Sequence, residues 1–157
     1  AIANNYKEQP ETLDWLKERV LQDAHEDVRQ QAVAAIANNY KEQPNILDWL
    51  KQQVLQNAHE DVRLIAVLAI ANNYKEQPET LDWLKQQALN NAHEDVRMEA
   101  VNAIVQYYGE QPETFSWIEE FLLEQNPEEA EPILREVAQN HPDEAVRNWA
   151  EERLSNK

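Results

Sequence analysis

Apolar residues recur along this chain with the spacing of amphipathic helices. From Glu26 to Tyr40, one side of a helical wheel carries Val28, Ala32, Ala35, Ile36 and Asn39, flanked by Val33 and Tyr40. The opposite side carries Gln30, Gln31, Ala34 and Asn38. A second helix is predicted from about Asn45 to Gln56. In its first copy the apolar face consists of Leu13, Leu16, Val20 and Ala24, broadened by Leu21.

These two helices belong to a unit that repeats every 34 residues. The block Ala-Ile-Ala-Asn-Asn-Tyr-Lys-Glu-Gln-Pro begins at Ala1, Ala35 and Ala69, and a degenerate copy begins at Ala103. So short a unit cannot bury a core alone, and neighbouring units must stack to share one. The sequence therefore predicts an all-α fold, a right-handed α-solenoid of helix–turn–helix repeats.

We expect a single repeat domain over residues 1–157, with a diverged cap at its C-terminal end. The spacing from Leu134 to Arg147 reproduces that from Leu16 to Arg29, which predicts a diverged helical pair. The chain starts inside a helix, as expected for a piece of a longer array or for an engineered array. The predicted segments are repeats 1–34, 35–68 and 69–102, a partial repeat 103–125 and the cap 126–154, with cap helices near 128–139 and 142–154.

The sequence contains one glycine, which limits how the turns between helices are made and which ligand-binding loops can form. The single glycine, Gly109, stands where the other copies have Lys7, Lys41 and Lys75, so a left-handed residue is expected at all four positions. Glycine-rich phosphate-binding loops cannot be built from this sequence.

The net charge limits the classes of partner, and the absence of cysteine limits the chemistry and the location of the protein. The net charge is −16, and such a field disfavours nucleic acid and anionic membranes and favours a basic protein or peptide. There is no cysteine, so disulfides and thiolate sites are excluded, and a cytoplasmic location is predicted.

The string Asp27-Val28-Arg29-x-x-Ala32-Val33-x-Ala35-Ile36 resembles the core of HEAT-type repeats, and it recurs at Asp61–Ile70 and Asp95–Ile104. The segments Pro10–Lys17 and Pro78–Lys85 are similar to a narrower set, the near-identical HEAT-like repeats that follow NACHT-type NTPase modules in cyanobacterial STAND signalling proteins. The resemblance implies a structural ladder in which each arginine pairs with a neighbouring acid. The residues concerned are Asp27, Arg29, Asp61, Arg63, Asp95 and Arg97.

No arrangement typical of catalysis or of cofactor binding is present. His25, His59 and His93 precede Glu-Asp pairs, but equivalent residues of adjacent repeats lie about 10 Å apart, too far to share a metal ion. We therefore expect a turn or N-cap role for these histidines, with no metal, no cofactor and no enzymatic activity. A HEAT-like lyase is conceivable by fold analogy only.

Two rows of residues are candidates for binding. Trp15, Trp49, Trp83 and Trp117 recur among carboxylates on the second helix, which the resemblance places on the concave side. They form either a groove for a basic and apolar peptide or indoles buried across the neighbouring repeat. Separately, Leu64, Ile65 and Leu68, with Met98 one repeat further along, are predicted to form an apolar patch on the first helix.

We therefore predict a noncatalytic protein-binding or peptide-binding array, a sensor or interaction segment of a STAND-type signalling NTPase. The alternative is an engineered or structural repeat scaffold without an evolved ligand. Weak homo-association is also predicted, through the Leu64 patch or through the open N-terminal end around Ile2 and Leu13.

Overall fold

The computed structural model describes residues 10–109, 111–120, 127–141 and 143–155, and within these ranges it is helical without strands. Ile2 and Lys7, named above, lie outside the described residues, as do residues 121–126 of the partial repeat. The described helices are α1 (Pro10–Gln22), α2 (Glu26–Tyr40), α3 (Ile46–Gln56), α4 (Glu60–Asn73), α5 (Pro78–Asn90), α6 (Glu94–Tyr108), α7 (Pro112–Glu120), α8 (Pro127–Asn140) and α9 (Glu144–Ser155).

The helices confirm the predicted fold of stacked helical hairpins. The pairs α1–α2, α3–α4 and α5–α6 each pack closely, and α8–α9 forms a further pair that contacts α6 through α8. One continuous apolar core runs through all of them, from Leu16 and Ile36 in the first hairpin to Val146 and Ala150 in α9. No hairpin encloses a core of its own, which is why the repeats must stack.

Packing between repeats divides the helices into two layers. Helices α2, α4 and α6 lie directly against one another, whereas α1, α3 and α5 make few backbone contacts among themselves. Small buried residues such as Ala32, Ala66 and Ala100 allow the close approach in the first layer. A stack whose layers differ in spacing curves toward the closer layer. The tryptophan-bearing helices α1, α3 and α5 therefore form the convex side, and the expectation that they line the concave side is wrong.

Each hairpin is closed by the same short turn. The side chain of Asn57 accepts a hydrogen bond from the His59 N–H at 2.9 Å, and Arg63 Nη1 donates to the Asn57 carbonyl at 2.9 Å. The same pair of bonds is made in the first and third repeats. In the cap, Arg147 Nη1 donates to the His141 carbonyl at 2.6 Å. The cap thus repeats the local geometry of the regular units despite its divergent sequence.

The expectation of a left-handed residue at the end of the first repeat helix is wrong. Lys41 has φ −60° and Gly109 has φ −65°, both right-handed. Instead of a glycine cap, the Lys41 carbonyl accepts a hydrogen bond from the Tyr74 hydroxyl of the next repeat at 3.2 Å, and Tyr108 bonds the Lys75 carbonyl likewise. Burial, with Glu42 nearby, raises the pKa of Tyr74 to about 12, so this hydroxyl stays protonated as a donor.

Gly109 lies beside the cap, and its lack of a side chain matters because of a close carbonyl of its own helix. His141 Nε2 lies 3.1 Å from the Val105 carbonyl oxygen, and His141 Nδ1 accepts a hydrogen bond from the Asp143 N–H. A Cβ at position 109 would lie 3.4 Å from His141 Nε2 and 2.3 Å from the Val105 oxygen. The Val105 oxygen is too close for any Cβ without a shift of the backbone, whereas 3.4 Å from the imidazole would be an ordinary van der Waals contact.

Helix α3 starts two residues later than its counterparts, and its sequence differs from theirs at its first residues. Thr80 Oγ1 donates to the Tyr74 carbonyl at 2.7 Å, whereas the second repeat has Ile46 at this position, which has no hydroxyl. Asn45 then adopts φ 77°, the one positive φ of a non-glycine residue in the described chain.

Replacing Asn45 tests this strained turn. Asn45→Ala should lower the free energy of unfolding by about 1 kcal/mol, because a left-handed backbone is costly for residues with a Cβ and asparagine tolerates it best. Asn45→Gly is the control and should be neutral or stabilising. Urea denaturation measures both, and an equal effect of alanine and glycine would contradict the strained geometry.

Candidate protein-interaction surface

The arginines of the ladder point across the boundary between repeats. Arg29 Nε and Nη2 donate to the two carboxylate oxygens of Asp61 at 3.0 and 2.9 Å, which raises the pKa of Arg29. One repeat further, Arg63 Nη2 lies 3.3 Å from Asp95 Oδ2. Asp27, the equivalent acid of the first repeat, is exposed, and Arg97 bonds the Asn91 carbonyl. Arg29 and Arg63 thus each join the turn of their own repeat to the helix start of the next.

A cleft of about 550 Å³ lies on the concave layer, across α2, α4 and α6. Its apolar floor is the trio predicted from sequence, Leu64, Ile65 and Leu68, each partly buried. Ile65 and Leu68 also pack against the core, whereas Leu64 is not part of that packing. The cleft joins three successive repeats, so a ligand seated in it would contact all of them.

Acidic side chains surround this floor. Glu26 comes from α2, Glu60 and Asp61 from the start of α4, and Glu99 from α6. Burial raises the pKa of Glu99, and the nearby charge of Glu136 raises it further, against a hydrogen bond from Asn102. Glu99 is therefore a carboxylate that would gain from a cation close by. We call this surface, with its floor and its four acids, the acidic cleft.

The sequence analysis found the floor of the acidic cleft but not its acids. Met98, included in the predicted patch, packs against the core and is not one of the residues lining the cleft. Glu99, the residue after it, occupies the position of Ile65 one repeat later, and this difference between copies was the available signal. Glu26 and Glu60 recur in every copy, so only the tertiary structure shows that they face the leucines.

The tryptophan row lies on the convex layer and is partly covered by lysines. The Lys17 ammonium lies 5.5 Å from the centroid of the Trp49 ring, and Lys51 and Lys85 lie 5.6 Å from the rings of Trp83 and Trp117. These three indoles are half-buried against the core, whereas Trp15 is 43% exposed. Each lysine therefore makes a cation–π contact from one repeat to the next.

The leucine expected to broaden the buried face of the second helix is instead exposed. Leu21 is 48% exposed, and its equivalents Leu55 and Leu89 are 49% and 39% exposed. The reason is the spread of the convex layer, in which successive helices lie too far apart to cover these side chains. Leu13, from the predicted open end, is partly buried against the core.

The histidines occupy the N-cap positions of α2, α4 and α6, but their side chains make no capping hydrogen bond. Within the described ranges, no group of three or more histidine or acidic side chains could hold a metal ion. No helix of the described chain is both long and apolar enough to cross a membrane.

Comparison with known proteins agrees with this architecture. The family model of HEAT repeats matches residues 47–128, more than half of the chain, which therefore belongs to the HEAT-repeat family. HEAT repeats are commonly protein-interaction repeats, in keeping with a binding role. Searches of curated proteins and of solved structures find no significant match.

Proposed function

We propose that this chain is a noncatalytic binding array that takes a basic and apolar protein segment in the acidic cleft. The supporting observation is the meeting of Leu64, Ile65 and Leu68 with the carboxylates of Glu26, Glu60 and Glu99 from three successive repeats, beside Asp61, whose carboxylate is already paired with Arg29. Aliphatic side chains or the methylene stem of a lysine would cover the leucines, while its ammonium group meets Glu60 or Glu99. The same acids repel a second copy of a chain with net charge −16, so a basic partner is favoured here over self-pairing.

The resemblance of Pro10–Lys17 and Pro78–Lys85 to STAND-associated repeats suggests which kind of larger protein contains this array. We propose that the array serves as a sensor or interaction segment of a STAND-type signalling NTPase in the cytoplasm. The near-identity of its copies also suits a second candidate, an engineered or structural scaffold without an evolved ligand.

Selection from a peptide library tests the proposal. The probe is a displayed library of 12-residue peptides that alternate Lys or Arg with aliphatic residues, and affinity is then measured by fluorescence anisotropy. The variant Leu64→Gln/Ile65→Gln/Leu68→Ala carries the residues that the first repeat has at these positions, so the fold should tolerate it. We expect it to weaken binding about tenfold or more, as loss of central apolar contacts does.

Two further sets of variants distinguish the acidic cleft from the tryptophan row as the binding site. Glu60→Gln/Glu99→Gln should weaken binding and reduce its dependence on salt, because the rim charges are removed. Binding that survives both sets of changes but is lost in Trp49→Ala/Trp83→Ala would place the site on the tryptophan row. A library without any binder would favour the scaffold alternative.

A further inference from the structure

Two exposed leucines at the ends of α3 and α5 form a surface separate from the acidic cleft. Leu55 is 49% exposed and Leu89 is 39% exposed. Leu55 lines a shallow cleft of about 200 Å³ together with the end of α5, where the lining residues are Gln86, Gln87, Asn90, Asn91 and Ala92. The ends of the two helices therefore make one continuous surface across the second and third repeats.

No ionisable side chain lines this cleft, and the chain contains none between Lys51 and His59 or between Lys85 and His93. Residues 52–58 and 86–92 read Gln-Gln-Val-Leu-Gln-Asn-Ala and Gln-Gln-Ala-Leu-Asn-Asn-Ala, in a chain that is 28% charged. The equivalent stretch of the first repeat, 18–24, contains Glu18, Arg19 and Asp23. We call residues 52–58 and 86–92 the neutral strip, and it is confined to the two middle repeats.

The positions beneath the neutral strip also carry amides where the first repeat has charged side chains. In the first repeat Arg19 and Asp23 form an ion pair at 3.5 Å. At the same positions, Asn57 Nδ2 donates to Gln53 Oε1 at 2.8 Å, and Asn91 Nδ2 donates to Gln87 Oε1 at 2.9 Å. An amide pair thus replaces the ion pair at the same two helix positions, so the fold does not require the strip to be neutral. The neutrality calls for another explanation.

A second copy of this chain is the partner that a neutral surface fits. Two chains of net charge −16 repel wherever acids face acids, and a surface without charges avoids that cost. Exposed Gln52, Gln56 and Gln86 each carry both a donor and an acceptor, so the strip is complementary to itself, as a twofold interface requires. A basic partner would gain nothing here and would be drawn to the acidic surfaces instead.

We propose that the neutral strip is a self-association surface through which two copies pair, with the end of α3 of one copy against the end of α5 of the other. The contact is confined to the ends of two helices, so we expect a weak and reversible pair rather than a large permanent interface. At the margin of the strip, Lys51 and Lys85 lie over the rings of Trp83 and Trp117, whereas Asp48 and Asp82, one turn earlier on α3 and α5, are exposed carboxylates. Association should therefore strengthen as salt screens these charges.

Sedimentation equilibrium of the full chain at low and high salt tests the proposal. We expect a reversible dimer whose association constant falls about tenfold or more in Leu55→Gln/Leu89→Gln. Gln52→Glu/Gln86→Glu should weaken it similarly at low salt and recover at high salt. The glutamates are those of the first repeat at Glu18, so folding should be unaffected, which circular dichroism verifies. The matched control is Leu21→Gln, an equally exposed leucine on a charged helix end, which should dimerise like the unmodified chain.

Three results would overturn the proposal. The first is a monomer up to millimolar concentration at high salt. The second is a dimer indifferent to the Leu55 and Leu89 changes. The third is a dimer lost instead in Leu64→Gln/Ile65→Gln/Leu68→Ala, which would place the contact at the acidic cleft. The first two outcomes do not bear on peptide binding by the cleft. The third would also contradict the statement that the acids of the cleft disfavour self-pairing, but the peptide affinity of the cleft is measured independently by anisotropy.

Discussion

Leu50→Ala is expected to lower the free energy of unfolding by about 2–5 kcal/mol, the range for truncating a buried leucine. Leu50 lies in α3 and is fully buried, in a core that runs unbroken through neighbouring hairpins. Removing its side chain loses transfer free energy and leaves a cavity between stacked repeats, which cannot close without moving a helix.

Leu55→Ala is the matched control, since it makes the same change five residues later in the same helix. Leu55 is 49% exposed, so its truncation should change the stability by no more than about 0.5 kcal/mol. Urea denaturation at micromolar concentration, where weak pairing does not contribute, compares the two variants. Equal effects would mean that α3 does not bury the face described above.

Arg63→Ala is expected to cost about 1–3 kcal/mol through the groups that it leaves unpaired. Arg63 donates to the Asn57 carbonyl at 2.9 Å and lies 3.3 Å from Asp95, and the two side chains are only 11% and 23% exposed. The substitution therefore removes a turn contact and a contact between repeats at once. A carboxylate this sheltered recovers little of the loss from water.

Two other variants separate this explanation from a general effect of lost charge. Arg135 pairs with Glu131 on α8, but the side chains are 61% and 40% exposed, so Arg135→Ala should change stability by less than about 1 kcal/mol. Arg63→Lys keeps the charge but cannot bond both groups, and an intermediate loss is expected. An unchanged denaturation midpoint in Arg63→Ala would mean that the ladder does not contribute to stability.

Much of the fold could be predicted because each copy of the repeat shows the same pattern of apolar positions and therefore the same helix bounds. The predicted helix Glu26–Tyr40 has the observed bounds of α2, and the helix predicted from about Asn45 begins one residue later, at Ile46. Periodicity of apolar positions locates helices well when three near-identical copies give the same answer. The turn was predicted less well, because Gly109 was interpreted by its backbone freedom when its missing side chain is what matters.

The candidate sites, too, could be predicted only in part from the sequence. The differences between copies identified Leu64, Ile65 and Leu68, because a repeat that departs from its neighbours at clustered positions has a local reason to do so. They could not show that Glu26 and Glu99, from the first and third repeats, come to the same cleft, since that depends on how the helices are spaced. The exposure of Leu21 and Leu55 likewise follows from the spread of the convex layer.

The sequence by itself determined the elements, their period and the need to stack, because these depend on local propensity and on apolar residues spaced at 3.6 per turn. The tertiary structure alone decided which side is concave, which acids surround the leucines and which partner each arginine meets. These depend on distances between repeats, set by the sizes of side chains packed between layers. Small alanines in α2, α4 and α6 bring one layer together, whereas the helices of the other layer make few contacts with one another.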